Sequence, residues 1–166
     1  MKKDEYQHQA APVLIVDDRY ENLLAMEKIL KPLELDIVKA DSGNMAVALA
    51  LEQSFAVIPP HLQMPEMDGF EAAALLRENE KSKNTPIIFV TAISKELSHI
   101  FEGYEAGAVD YLFKPVDPYI LQNKVKVFVE LFREKNSQLK SLVKKLQNTQ
   151  KELEQSNQEL TKLARN

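Results

Sequence analysis

Three short stretches of this 166-residue chain place chemistry-bearing side chains directly after apolar runs. Asp17-Asp18 follows Val13-Leu14-Ile15-Val16, Thr91-Ala92 closes residues 86–91, and Lys114-Pro115 follows residues 109–113. Adjacent carboxylates repel one another, and a divalent cation between them relieves that repulsion. Oxygen-only ligation by carboxylates suits Mg²⁺, which binds through one or two of them and keeps several waters. One of the two could instead cap the helix that follows. The Thr91 hydroxyl could donate to a phosphoryl oxygen or cap a turn. Lys114 could pair with a phosphoryl group or lie on the surface, and the X-Pro bond after it is a candidate for the cis isomer.

Those positions need elements to hold them. Residues 13–16, 35–40, 55–58, 86–91 and 109–113 read as strands, because they are short and apolar, as expected of strands covered on both faces. Residues 20–31, 42–54, 70–78 and 95–106 read as helices. The first has Leu23, Leu24 and Leu30 on one stripe and stops at Pro32. Asp117 and Pro118 read as the N-cap and first residue of a last helix. Five strands alternating with five helices predict a doubly wound α/β fold with a five-stranded parallel sheet. In such sheets the functional crevice lies beyond the carboxyl ends of the strands, which is where Asp17, Asp18, Thr91 and Lys114 fall.

Composition narrows the class. The chain is 45% hydrophobic and 28% charged, a soluble globular balance with no run long enough to span a membrane. The polar start and the shortness of the apolar run behind it do not fit a signal peptide. The absence of Cys excludes disulfides, thiolate metal sites and Cys nucleophiles, and a cytoplasmic location is expected. The net charge of −4 divides into −7 for residues 1–133 and +3 for residues 134–166. An acidic body without a dense basic stripe argues against direct nucleic-acid binding.

Four segments, taken in order, resemble the bacterial two-component response-regulator receiver family. They are Val13-Leu14-Ile15-Val16-Asp17-Asp18, Gln63-Met64-Pro65-Glu66-Met67-Asp68-Gly69-Phe70-Glu71, Val90-Thr91-Ala92, and Gly107-Ala108-Val109-Asp110-Tyr111-Leu112-Phe113-Lys114-Pro115. The resemblance covers residues 12–133 and implies a CheY-like, flavodoxin-like fold with strand order 2-1-3-4-5. It implies Mg²⁺ held by Asp17, Asp18 and the backbone carbonyl of Gln63. Thr91 would be the switch hydroxyl, Lys114 the phosphoryl-pairing cation and Tyr111 the aromatic that reports the switch. The implied partner is a sensor histidine kinase or a phosphotransfer protein, and the implied role is reception of a phosphoryl group, with no enzyme activity beyond that.

One position departs from the family. The acceptor Asp sits three residues before the Met of Met-Pro, and here that residue is His61. An imidazole cannot form the acyl phosphate, and it removes one anionic metal ligand, so Mg²⁺ binding should weaken. The alternative is a degenerate receiver that acts as a phosphorylation-independent interaction module. The preceding Pro59-Pro60 should end or distort the third strand, since Pro removes ladder donors. Each of the four differences from the family's Leu-Leu-Asp-Val corresponds to one base becoming C, a pattern that fits a local lesion. A metal-dependent phosphatase of related topology would need a second Asp where Arg19 stands. A flavin site would need a first loop rich in hydroxyls and Gly to hold phosphate, and this one is acidic.

Residues 1–11 read as a disordered tail and residues 134–166 as an extension of the last helix. Val125, Phe132, Leu139, Leu146, Leu153 and Leu160 recur every seven residues. Leu121, Phe128, Leu142 and Leu163 form the other seam, interrupted by Lys135, Thr149 and Ser156. Such a pattern predicts a coiled coil, with a parallel homodimer as the expected form.

Overall fold

A computed structural model of the chain describes residues 11–60, 67–92 and 110–165. His61, Gln63, the helix expected over 95–106 and the first ten residues lie outside the described residues.

Strand β1 (Pro12–Val16) runs parallel to β2 (Asp36–Ala40), in register from Pro12 against Asp36 to Val16 against Ala40. Helix α1 (Tyr20–Leu30) connects them and turns Leu23, Met26 and Leu30 inward. It ends at Leu30, and Pro32 lies within a 3-10 turn over Lys31–Leu33, not beyond the helical region. Glu34 then reverses the chain in the left-handed conformation, with φ of 53°. Helix α2 (Gly43–Glu52) is capped by the Ser42 hydroxyl, which accepts from the Met45 N–H at 3.1 Å. Helix α3 (Gly69–Glu78) is capped by Asp68, which accepts from the Glu71 N–H at 2.8 Å. Strand β3 (Ile88–Ala92) pairs in parallel with β4 (Asp110–Lys114), Ala92 opposite Lys114.

Successive β1 residues pack to opposite sides, as the two-residue period of a strand requires. Leu14 and Val16 join a core cluster with α2 and α3, while Val13 and Ile15 join one with α1 and the last helix. Ala11 is also buried. Both faces of β1 are therefore covered, which accounts for its unbroken apolar run.

The described strands number four, in two two-stranded sheets, where the sequence predicted five in one. The difference lies at residues 55–60, which run between β1 and β3 through isolated parallel bridges at Val57, Ile58 and Pro60. Pro59 and Pro60 have no N–H, so each withdraws one donor from the ladder. Their carbonyls remain. The Pro60 carbonyl accepts from the Val90 N–H at 2.9 Å, and Ile58 both donates to Pro86 at 2.9 Å and accepts from Ile88 at 3.0 Å. The prolines thus interrupt regular pairing while the chain stays in the central position.

The last helix, α4 (Pro118–Arg165), is 48 residues long, or about 72 Å at the α-helical rise. Asp117 accepts from the N–H groups of Tyr119 and Ile120 at 2.8 and 3.4 Å, the cap expected from its place before Pro118. Its first turns bury Leu121, Val125 and Val129 against the body, and Lys124 pairs with Asp110. Residues 138–165 are all exposed, including Leu139, Leu146, Leu153 and Leu160. Among the described residues no helix is long and apolar enough to cross a membrane.

The approach to β3 depends on Arg77. One of its terminal nitrogens donates to the carbonyls of Ser82, Lys83 and Thr85 at 3.2, 2.8 and 2.9 Å. Half-burial of the guanidinium lowers its pKa from the ordinary arginine value. Replacing Arg77 with Ala should destabilise the fold by about 2 kcal/mol, the scale of hydrogen bonds to a charged group. Arg77→Lys should recover only part of that, because an ammonium lacks the planar fork. Urea unfolding of the three proteins checks the order.

Candidate functional site

Asp17 directly follows β1, its N–H donating to the Ala40 carbonyl at 3.1 Å. Its side chain is 1% exposed. One carboxylate oxygen, Oδ1, accepts from the Arg19 N–H at 3.0 Å and from Asn22 Nδ2 at 3.3 Å. The other, Oδ2, is buried and accepts no hydrogen bond from the described residues. Lys114 Nζ lies 3.9 Å from Oδ2, close enough for charge attraction and beyond hydrogen-bond reach. Asp18, the next residue, is exposed. The two carboxylates, alike in the sequence, therefore occupy different environments.

Thr91 is buried on β3, one residue before Ala92, which pairs with Lys114. The Lys114–Pro115 bond is cis. Tyr111 is 8% exposed and lies opposite Phe89 in the β3–β4 register. Its ring sits 5.5 Å from that of Phe89 and 6.3 Å from that of Phe113, centre to centre. Asp17 and Lys114 are thus brought together, Thr91 stands at the adjoining strand end, and Tyr111 packs inside beneath them.

These donors fit a hard divalent cation. A buried carboxylate oxygen without a hydrogen-bond partner among the described residues has lone pairs to offer, and an exposed carboxylate follows it in the chain. Among the described residues no group of three or more His, Asp or Glu side chains converges. Asn22 was not singled out in the sequence. Its only signal there is its position in the first turn of the helix that follows Asp17-Asp18.

A crevice at the carboxyl ends of parallel strands, holding a buried Asp with a Lys across from it and a Thr alongside, defines a receiver-type signalling domain. The family of response regulator receiver domains matches residues 13–126, and the chain belongs to that family. It is 38% identical over 117 residues to the transcriptional regulatory protein SrrA of Staphylococcus aureus, covering 70% of this chain and 47% of that protein. The chain spans about half the length of the curated relatives it matches. Among solved structures it resembles the chemotaxis protein CheY4 of Vibrio cholerae, with a TM-score of 0.67, 29% identity, and coverage of 72% of this chain and 99% of that one. It also resembles the receiver domain of the sensor histidine kinase PA1611 of Pseudomonas aeruginosa, whose active-site cleft coordinates a magnesium ion. That likeness has a TM-score of 0.67 and 27% identity over 73% of this chain and 98% of the other.

Two substitutions test the electrostatics. Mg²⁺ should raise the unfolding midpoint of the wild type, as any ligand of the folded state does, and Asp17→Asn should abolish that rise. Lys114→Met removes the nearest cation from a buried carboxylate and should cost about 1–2 kcal/mol in EDTA, discounted from the full buried-pair value because Lys114 is partly exposed. Added Mg²⁺ should restore part of that loss. Thermal unfolding with and without Mg²⁺ reads both.

Proposed function

We propose that this chain is the receiver of a two-component phosphorelay whose acceptor position is occupied by His61, so that it signals by engaging its partner and not by carrying an acyl phosphate. The observation that supports this most directly is the placement of the Lys114 ammonium 3.9 Å from the buried Oδ2 of Asp17. In phosphoryl transfer, charge spreads over the equatorial oxygens, and catalysis consists mainly of positioning and charge stabilisation. Lys114 and the Thr91 hydroxyl are suited to those oxygens. Asp17, Asp18 and the Gln63 carbonyl would hold Mg²⁺, which supplies further positive charge when bound.

The nucleophile is the missing part. A carboxylate at position 61 would attack phosphorus and take the phosphoryl group as a mixed anhydride; an imidazole cannot form that bond. A residue at position 61 that carries no negative charge supplies no anionic ligand, so Mg²⁺ should bind less tightly than in a receiver with Asp there. The partner on this reading is a sensor histidine kinase or phosphotransfer protein, and the place of action is the cytoplasm.

The same reading extends to α4. Exposed leucines at seven-residue spacing on a helix with no cover beyond residue 138 support a parallel coiled-coil homodimer. An isolated helix this polar is marginal without a partner. Leu146→Glu combined with Leu153→Glu should convert the protein to a monomer in sedimentation equilibrium and leave the unfolding of the α/β body unchanged.

Incubation with Mg²⁺ and a small acyl phosphate tests the central claim. Intact-mass measurement should show no phosphoryl gain on the wild type and a gain of one phosphoryl on His61→Asp. A phosphoryl gain on the wild type overturns the proposal. An inert His61→Asp variant places the defect elsewhere and favours the purely structural interaction module.

A further inference from the structure

We infer that Asn22 is a positioning residue of the cation site, setting which oxygen of Asp17 is presented to the crevice. The inference rests on the receiver reading above and adds a residue to it.

A carboxylate is symmetric, so its orientation has to be imposed from outside. At Asp17 the imposition is one-sided. Among the described residues both donors go to Oδ1, the Arg19 N–H at 3.0 Å and Asn22 Nδ2 at 3.3 Å. Oδ2 is buried, accepts no hydrogen bond from the described residues, and is the oxygen nearest Lys114. An ionised carboxylate only accepts, so the amide of Asn22 must turn its NH₂ toward it.

The two donors do different work. The Arg19 N–H is a backbone donor that any side chain there would keep, and Arg19 is the N-cap of α1, its carbonyl accepting from the Asn22 and Leu23 N–H groups at 3.1 and 3.2 Å. Asn22 belongs to the first turn of α1, whose inner face is anchored in the core by Leu23, Met26 and Leu30. Its amide therefore ties the carboxylate to the rigid part of the fold. Groups that orient a metal ligand in this way act on affinity without touching the ion. Without Asn22 the carboxylate keeps one donor among the described residues and is freer to rotate, so cation binding has to order it.

The test compares Asn22→Leu, which keeps the bulk and lacks the donor, with Asn22→Gln, which keeps an amide. Mg²⁺ Kd is measured by titration calorimetry well below the unfolding midpoint, in the wild-type chain and in the His61→Asp background. Metal-free stability is measured separately in EDTA. Asn22→Leu should weaken Mg²⁺ binding about tenfold, the lower end of what loss of an orienting partner produces. Asn22→Gln should stay within about threefold of the parent, since it still presents an NH₂ donor. Equal weakening in both variants, or none in Asn22→Leu, overturns the role of Asn22 while leaving the cation site standing. Absence of Mg²⁺ binding in both parent proteins overturns the cation site and this inference with it.

Discussion

Among the described residues the two two-stranded sheets are bridged by one segment, residues 55–60, and its backbone carbonyls do much of the bridging. On one side Ala56 donates to Pro12 at 2.8 Å while Val57 accepts from Leu14 at 3.3 Å. On the other, Ile58 and Pro60 accept from Ile88 and Val90. A central strand would ordinarily give and take along both edges. With prolines at 59 and 60 it loses donors near its carboxyl end but keeps its acceptors. The apolar residues Phe55, Ala56, Val57 and Ile58, all buried, hold it in place from both faces. Packing thus compensates for an incomplete ladder, and the strand ends that carry Asp17 and Lys114 keep their relative positions.

That relation matters because Asp17 is a poor element of a fold considered alone. Burying a carboxylate is expensive unless its lone pairs are satisfied, and one oxygen of this one accepts no hydrogen bond from the described residues. Lys114 offsets the charge from 3.9 Å without a direct bond. Such an arrangement is better suited to receiving a ligand than to stabilising the protein. The sites where local satisfaction is withheld are where function is expected.

Much of this was legible in the sequence, for identifiable reasons. The unbroken run Val13–Val16 could only be a strand covered on both sides, and Asp117-Pro118 carried its own cap chemistry. Placing Asp17, Asp18, Thr91 and Lys114 at strand ends followed from the alternation of apolar runs with helical segments. What could not be read was the asymmetry within the acidic pair. Asp17 still donates its N–H to Ala40 and lies inside the strand's cover, whereas Asp18 lies beyond it, and where that cover stops is set by neighbours distant in sequence. Asn22 escaped for a similar reason: its amide matters only because the turn after Asp17 brings α1's first turn back over the carboxylate. Pro59-Pro60 predicts a distorted strand, and isolated bridges do stand there in place of a regular ladder, with the Pro60 carbonyl still accepting from Val90.

The long helix poses one geometric question that the same periodicities answer. Leu121, Val125 and Val129, spaced by four, face the body, whereas Leu139, Leu146, Leu153 and Leu160 are spaced by seven. A seven-residue repeat on an unsupercoiled helix drifts by about 20° per heptad. From Val125 to Leu153 is four heptads, so the stripe turns by about 80° between the part that packs on the body and the middle of the free part. The two faces are therefore neighbours, not the same face. A second helix can seat along Leu139–Leu160 without prying the first turns of α4 from the core, and a change in the body can reach that seam only by rotating or bending α4 as a unit.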